Sequence, residues 1–155
     1  MKTSNQKFYL TKEGLEKFKK EYEELKKIAE IKARESVPEI FHSEEINSEY
    51  LEYQEDNELL QSRLAELKNI LEDAEIIKSS RKKSKIVELG SIISVRTSRG
   101  KPEKFILVGS LEADPSSGKI SNESPVGKAL MGHKVGDVVS VQSAEKYTYK
   151  ILDIK

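Results

Sequence analysis

INSEYLEYQEDNELLQSRLAELKNILEDA, residues 46–74, decides the fold class of this 155-residue chain. Ile46, Tyr50, Tyr53, Asn57, Leu60, Leu64, Leu67, Leu71 and Ala74 recur at alternating spacings of four and three without a break. Such regularity over about four heptads is the pattern of a coiled-coil helix. A stripe of this kind needs a second stripe to cover it. Upstream, Leu15, Phe18, Tyr22, Leu25 and Ala29 repeat with the same spacings. That helix has Thr11 placed as N-cap, with Leu10 and Leu15 placed as a hydrophobic staple. The pattern fades near Ser36-Val37-Pro38, because Pro38 lacks a backbone donor and biases Val37 away from helical geometry. Folded back antiparallel, the two stripes make a hairpin, and Asn57 on the seam costs some stability while helping to set register. A helix from about Ser43 to Ile77, at ~1.5 Å per residue, would be on the order of 50 Å long. The hairpin is therefore expected to project.

Beyond it the period changes. Ser79-Ser80-Arg81-Lys82-Lys83-Ser84-Lys85 is polar, basic and aperiodic, and reads as a linker. Ile92 to Arg96, Lys104 to Val108, Asp137 to Val141 and Tyr147 to Ile154 are short runs rich in β-branched and aromatic residues. Turn signals such as Arg99-Gly100, Asp114-Pro115 and Ser117-Gly118 separate them. A short helix is expected around Gly127 to Met131. The predicted class is α+β: a coiled-coil hairpin over residues 1–78, a linker over 79–85, and a small antiparallel sheet domain carrying a helix over 86–155.

Composition narrows the chemistry. Hydrophobic residues make up 36% and charged residues 35%, with no cysteine and no tryptophan, which suits a protein with much exposed helical surface. Disulfides and thiolate metal sites are excluded, and His42 and His133 are too few for an expected zinc site. Any metal chemistry rests on oxygen ligands. No apolar run approaches the roughly 20 residues that cross a bilayer, and the start MKTSNQK lacks the apolar stretch of a secretory signal. No membrane association and a cytoplasmic location are expected. The zero net charge hides an asymmetry: residues 1–78 hold 13 basic and 19 acidic side chains, net −6, and residues 79–155 hold 14 and 8, net +6.

The acidic half has a centre. No lysine or arginine occurs between Arg34 and Arg63, where Glu35, Glu39, Glu44, Glu45, Glu49, Glu52, Glu55, Asp56 and Glu58 all lie. One reading is structural: Ser43 caps the returning helix, Glu44 and Glu45 sit in its first turn where the helix dipole favours them, and the rest form a solvated stripe. Yet like charges at i,i+4 repel, and the segment supplies no basic partner. The other reading is that carboxylates at the hairpin tip hold Mg²⁺, a hard ion that takes oxygen ligands and keeps several waters. A tip offers too few ligands alone, so the remainder would come from another macromolecule, making the hairpin a delivery arm.

Other motifs are weaker. Gly127-Lys128-Ala129-Leu130-Met131-Gly132-His133-Lys134 has phosphate-loop glycine spacing without the required Gly-Lys-Ser/Thr ending. His133 reads as a surface turn residue. Arg81, Lys82, Lys83 and Lys85 could touch nucleic acid, but no aromatic residues interleave with them.

Order of parts and local wording together resemble the bacterial Gre transcript-cleavage factors, the GreA type in particular. VGSLEADPSSGKISNESPVGKALMGHKVGDVVSV, residues 108–141, carries the resemblance most specifically, joined by LTKEGLEKFKKEYEEL at residues 10–25 and NSEYLEYQEDNELLQSRLAELKNIL at residues 47–71. The resemblance implies an FKBP-like C-terminal domain that binds RNA polymerase at its secondary channel, with the hairpin inserted toward the active centre. There, acidic tip residues help to hold a Mg²⁺ shared with the polymerase active site, and not bound tightly by the isolated protein. The polymerase then cleaves the 3′ end of backtracked RNA. The chain would be an accessory factor rather than an enzyme, acting as a monomer. Its docking residues would be Ser121, Glu123, Ser124 and Pro125, followed by the Gly127–Gly132 segment.

The tip departs from the family pattern. Pairing on Asn47, Glu49 and Tyr50 puts Ser43 and Ile46 where the family has its acidic pair. Glu44 and Glu45 lie between them and become the expected catalytic residues, with Glu44, Glu45 and Glu49 as the expected metal ligands. Adjacent helical residues diverge by ~100°, so Glu44 and Glu45 replace an i,i+3 pair only in a non-helical tip. The alternatives are a cleavage-deficient factor that occludes the channel, a prolyl isomerase, and a structural coiled-coil adaptor. Residues 86–155 offer only Phe105, Tyr147 and Tyr149 as aromatics, few for a proline pocket, and fold likeness alone is a poor warrant.

Overall fold

The computed structural model describes residues 7–35, 48–78, 85–142 and 147–155. In order they form β1 (Phe8–Leu10), α1 (Lys12–Arg34), α2 (Ser48–Glu72), β2 (Ala74–Ile76), β3 (Ile92–Thr97), β4 (Pro102–Val108), two 3₁₀ turns (Ser110–Glu112 and Pro115–Ser117), β5 (Lys119–Ser121), α3 (Pro125–Leu130), β6 (Val138–Val141) and β7 (Tyr147–Ile154). Leu15–Asp73 form one compact unit; residues up to Gly14 and from Ala74 onward form the other.

In the helical unit the second apolar stripe is the contact face. Leu60 and Leu67 are buried and Tyr50, Tyr53, Asn57, Leu64 and Leu71 half-buried; Ile70, beside the stripe, is buried as well, whereas Leu59, off the stripe, is 71% exposed. Ion pairs fix the direction. Arg63 reaches Glu21 at 2.7 Å while also holding Glu66 at 2.8 Å on its own helix, and Lys32 stands 3.7 Å from Asp56. Partners that advance on one helix as they recede on the other require antiparallel packing. α2 ends at Glu72, short of the expected Ile77, because Ala74–Ile76 leave the helix to pair in parallel with Phe8–Leu10. That ladder also explains why the unit boundaries differ from the 1–78, 79–85 and 86–155 division: both short strands group with the sheet.

The sheet unit is built on the order β5-β4-β3-β7-β6. Alternation places Ile93, Val95, Leu107, Val139, Ile151 and Ile154 inward, where Val87 and Leu130 of α3 complete the core. Ile151 and Ile154 are three apart and would face opposite sides of a regular strand. A register shift opposite Ser94 and Val95 inserts Leu152 as an extra residue and returns both to the core. The sheet is mixed rather than wholly antiparallel as expected. β5 runs parallel to β4 because the intervening chain crosses over through the two 3₁₀ turns instead of closing a hairpin.

Candidate functional site

Of the residues expected at the acidic tip, Glu44 and Glu45 lie outside the described residues, with Ser43 and Ile46. Glu49 is exposed in the first turn of α2. Among the described residues no group of three His, Asp or Glu side chains is placed to hold a metal. The donors that the sequence offers at the tip are carboxylate oxygens, a set chemically suited to a hard divalent ion. Among the described residues the block has a basic partner in Lys32. Lys32 of α1, 3.7 Å from Asp56, also lies 5.9 Å from the centroid of the Tyr53 ring. The segment 35–62 supplies no lysine or arginine; the facing helix does, and a pair of this kind, with Asp56 exposed and Lys32 half-buried, is worth ~0.2–1 kcal/mol.

The second candidate region, the β5–α3 loop, is fully described. Chain direction is set first: Asn122 N–H donates to Val108 O at 3.0 Å, continuing the β4–β5 ladder. Ser121 then serves three groups. Its carbonyl accepts from Ser124 N–H at 3.1 Å and from the Ser124 hydroxyl at 2.6 Å, and its hydroxyl accepts from Glu123 N–H at 3.0 Å. Ser124 caps α3, its Oγ accepting from Gly127 N–H at 3.0 Å, and Pro125 occupies the first helical position, where a missing N–H costs nothing. Gly127 is required by proximity, since a Cβ there would stand 2.0 Å from Ser121 O. Glu123 is exposed, and Ser110 on the preceding 3₁₀ turn donates to its Oε2 at 2.6 Å while lying 2.9 Å from Ser121 Oγ. Thus Ser121, Glu123, Ser124 and Pro125 come together as one folded corner, with an oriented carboxylate and a proline ring on the outside.

Two features of this corner were not foreseen. Ser110 is eleven residues upstream of Ser121, and only the parallel β5 brings them together. A shallow cleft beside the loop is lined by Lys7, Phe8, Tyr9, Gly109, Ser110, Leu111, Asn122 and Glu123, so β1 contributes its wall. Gly109 permits that approach, as a Cβ there would lie 1.9 Å from Tyr9 O.

Glu112 was also missed. Thr11 caps α1 as expected, Oγ1 accepting from Gly14 N–H at 3.0 Å. In a capping box the third helical residue would return a carboxylate to the cap's own N–H. Here that residue is Gly14, and Glu112 supplies the carboxylate from 101 positions away. It accepts from Thr11 N–H at 2.6 Å and from the Thr11 hydroxyl at 2.5 Å. A Cβ on Gly14 would stand 2.2 Å from Glu112 Oε1. The sequence signal was the glycine itself, standing where a capping box has Glu or Gln.

Comparison with known proteins covers both halves. Residues 8–76 match the family described as transcription elongation factor, N-terminal, and residues 82–155 match transcription elongation factor, GreA/GreB, C-terminal. Transcription elongation factor GreA of Clostridium acetobutylicum is 40% identical, with 99% of each chain covered. The protein of the same name from Acetivibrio thermocellus is 38% identical with 98% of each covered, and that of Geobacillus kaustophilus 39% identical with 90% of this chain and 91% of its own covered. The crystal structure of the GreA factor homolog 1 protein of Thermus thermophilus is 26% identical over 97% of this chain and 99% of that chain, with a TM-score of 0.42. At that score the superposition adds nothing to the family matches.

Proposed function

The chain belongs to the GreA/GreB family of transcription elongation factors, and from that premise we propose that it binds RNA polymerase and stimulates the polymerase's own cleavage of backtracked RNA. The observation that carries this reading is the full-length match to GreA relatives across both halves. The folded corner Ser121–Pro125 supports it. A loop already fixed by its own hydrogen bonds loses little entropy on docking, and its exposed Glu123 and Pro125 offer one charged and one rigid apolar contact. The polymerase is the partner and the chain an accessory factor, cytoplasmic and acting as a monomer.

At the tip, Glu44, Glu45 and Glu49 are the residues that would share a Mg²⁺ with the polymerase active site. When bound, such an ion lowers the pKa of a coordinated water and stabilises an in-line displacement at phosphorus. The chain's own contribution is to bring carboxylate oxygens to the 3′ end of backtracked RNA and to keep cations out of the same segment, since no lysine or arginine lies between Arg34 and Arg63.

Mixing the protein with a stalled elongation complex and Mg²⁺ tests this. Shortened transcript with a released 3′ fragment is expected. The Glu44→Ala/Glu45→Ala variant should lose at least ~10²-fold of the stimulation, in the range seen when a charge-stabilising catalytic contact is removed, while still competing with wild type for the polymerase. Unchanged RNA with slowed synthesis would instead assign the role of a channel-occluding factor.

A further inference from the structure

The outer face of the five-stranded sheet carries a charge arrangement that folding does not ask for. Ile93 and Val95 face the core, so Ser94 and Arg96 face outward. Ladder register then identifies their neighbours. Arg96 stands directly opposite Lys150 on β7 and Pro102 on β4, and Ser94 lies between Lys104 and Asp153. All three cations are exposed. With strands ~4.8 Å apart and two residues spanning ~7 Å along a strand, their Cα atoms fall within about 12 Å of one another.

Like charges placed directly opposite on neighbouring strands are destabilising. Among the described residues no carboxylate lies within ion-pair distance of Arg96, Lys104 or Lys150. The acid on the patch, Asp153, has Lys155 at 3.7 Å. Glu103, next to Lys104 in sequence, is paired with Val95 and so faces the other side. The patch is a concentrated positive field on a rigid scaffold, in the half of the chain that carries net +6.

The neighbouring residues indicate what would cover it. A protein partner would be expected to bury a central aromatic or bulky apolar anchor, but Ser94, Pro102 and Thr148 surround the cations, and the exposed apolar residues near them, Val138 opposite Lys150 and Leu152 two residues along β7, are single aliphatic side chains with no aromatic among them. Bases of a nucleic acid would want aromatic platforms, yet Phe105 and Tyr149 are turned inward, packed edge to face at 5.8 Å. What remains is chemistry suited to phosphates alone: one guanidinium fork and two ammonium groups on one face of the sheet. We propose that this face holds the phosphate backbone of a nucleic acid without sequence preference. The inference stands apart from RNA cleavage, because its test contains no polymerase.

Fluorescence anisotropy of the full-length chain, with labelled single-stranded RNA of about 20 nucleotides and duplex DNA of about 20 base pairs, would measure it across a salt series. Three neutralised phosphates give a log–log salt slope of about −2.7 on duplex and about −2 on a single strand, so raising salt from ~50 to ~200 mM should weaken duplex binding about 40-fold. The tighter binding of the two at a given salt concentration identifies the preferred source of phosphates. Arg96→Gln/Lys104→Gln/Lys150→Gln should lose at least tenfold in affinity at low salt, and Lys104→Gln alone should flatten the slope by about 1. The charge-conserving Arg96→Lys/Lys150→Arg should retain binding. Wild-type affinity in both Gln variants would overturn the proposal. So would an equal loss in Arg81→Gln/Lys82→Gln/Lys83→Gln, or capture of polyglutamate with no nucleic-acid binding.

Discussion

Helices α1 and α3 begin with the same local device and complete it from opposite distances. Thr11-Lys12-Glu13-Gly14 and Ser124-Pro125-Val126-Gly127 both place a hydroxyl cap three residues before a glycine, and each glycine N–H meets that hydroxyl at 3.0 Å. Each hydroxyl donates onward and each cap N–H finds the same acceptor group, and each glycine leaves room for it. For α3 the acceptor is the carbonyl of Ser121, three residues back; for α1 it is the carboxylate of Glu112, brought by the fold. A local acceptor is rigid backbone. The distant one is the flexible end of a side chain, and the two glycines should respond differently to substitution for that reason.

The largest effect is expected at α3. Gly127→Ala drives a methyl group against Ser121 O and into the Asn122 backbone, 2.0 and 3.0 Å from the ideal Cβ. With no side chain to swing aside, the cost should be about 3 kcal/mol by urea unfolding, at the upper end of overpacking. It should also cost affinity for the polymerase, since Ser121 and Ser124 lie in the proposed docking corner. At α1, Glu112→Ala removes the acceptor for Thr11 N–H and should cost ~1 kcal/mol, the usual worth of a cap. Gly14→Ala should cost less, because the carboxylate can rotate away and alanine regains ~1 kcal/mol of helix propensity. The pair sharpens the contrast. In the Glu112→Ala background Gly14→Ala should turn stabilising, whereas no single side-chain deletion can rescue Gly127→Ala. A destabilising Gly14→Ala in both backgrounds would show that something other than Glu112 fills the space.

The smallest effect separates the hydroxyl caps from a carboxylate cap. Asp114 opens the 3₁₀ turn Pro115–Ser117, accepting from Ser116 N–H at 3.1 Å, and the Ser116 and then the Ser117 hydroxyls hold its carboxyl below the usual range. A carboxyl depressed on folding contributes stability that is fully present above its unfolded value of ~3.9 and fades as pH falls through the lower folded value. The difference in urea midpoint between wild type and Asp114→Asn should therefore shrink below about pH 4. The difference between wild type and Thr11→Ala should not be lost through titration of the substituted group, because the threonine hydroxyl does not ionise in this range.

Much of the architecture was legible in order along the chain. The Tyr50–Leu71 stripe announced a helix that pairs, and four β-branched runs announced β3, β4, β6 and β7 within two residues of their ends. What escaped were β1, β2 and β5, strands of three residues each, too short to show alternation and stabilised by the neighbours that pair with them. The candidate site divides in the same way. Ser121, Glu123, Ser124 and Pro125 stand together in sequence and so could be named together, while Ser110, Gly109 and the β1 wall of the adjoining cleft join them only through the fold. Lys32, a cation beside the acidic block, was invisible in a window that began after Arg34.

Sequence alone determined the periodic elements and the segregation of charge, because these depend on residues within a few turns or strands of one another. Tertiary structure decided the long-range partners: Glu112 on Thr11, Lys32 on Asp56, and Lys150 opposite Arg96. Each is a contact between residues tens of positions apart, whose closure entropy only the finished core can offset, and no local pattern encodes it.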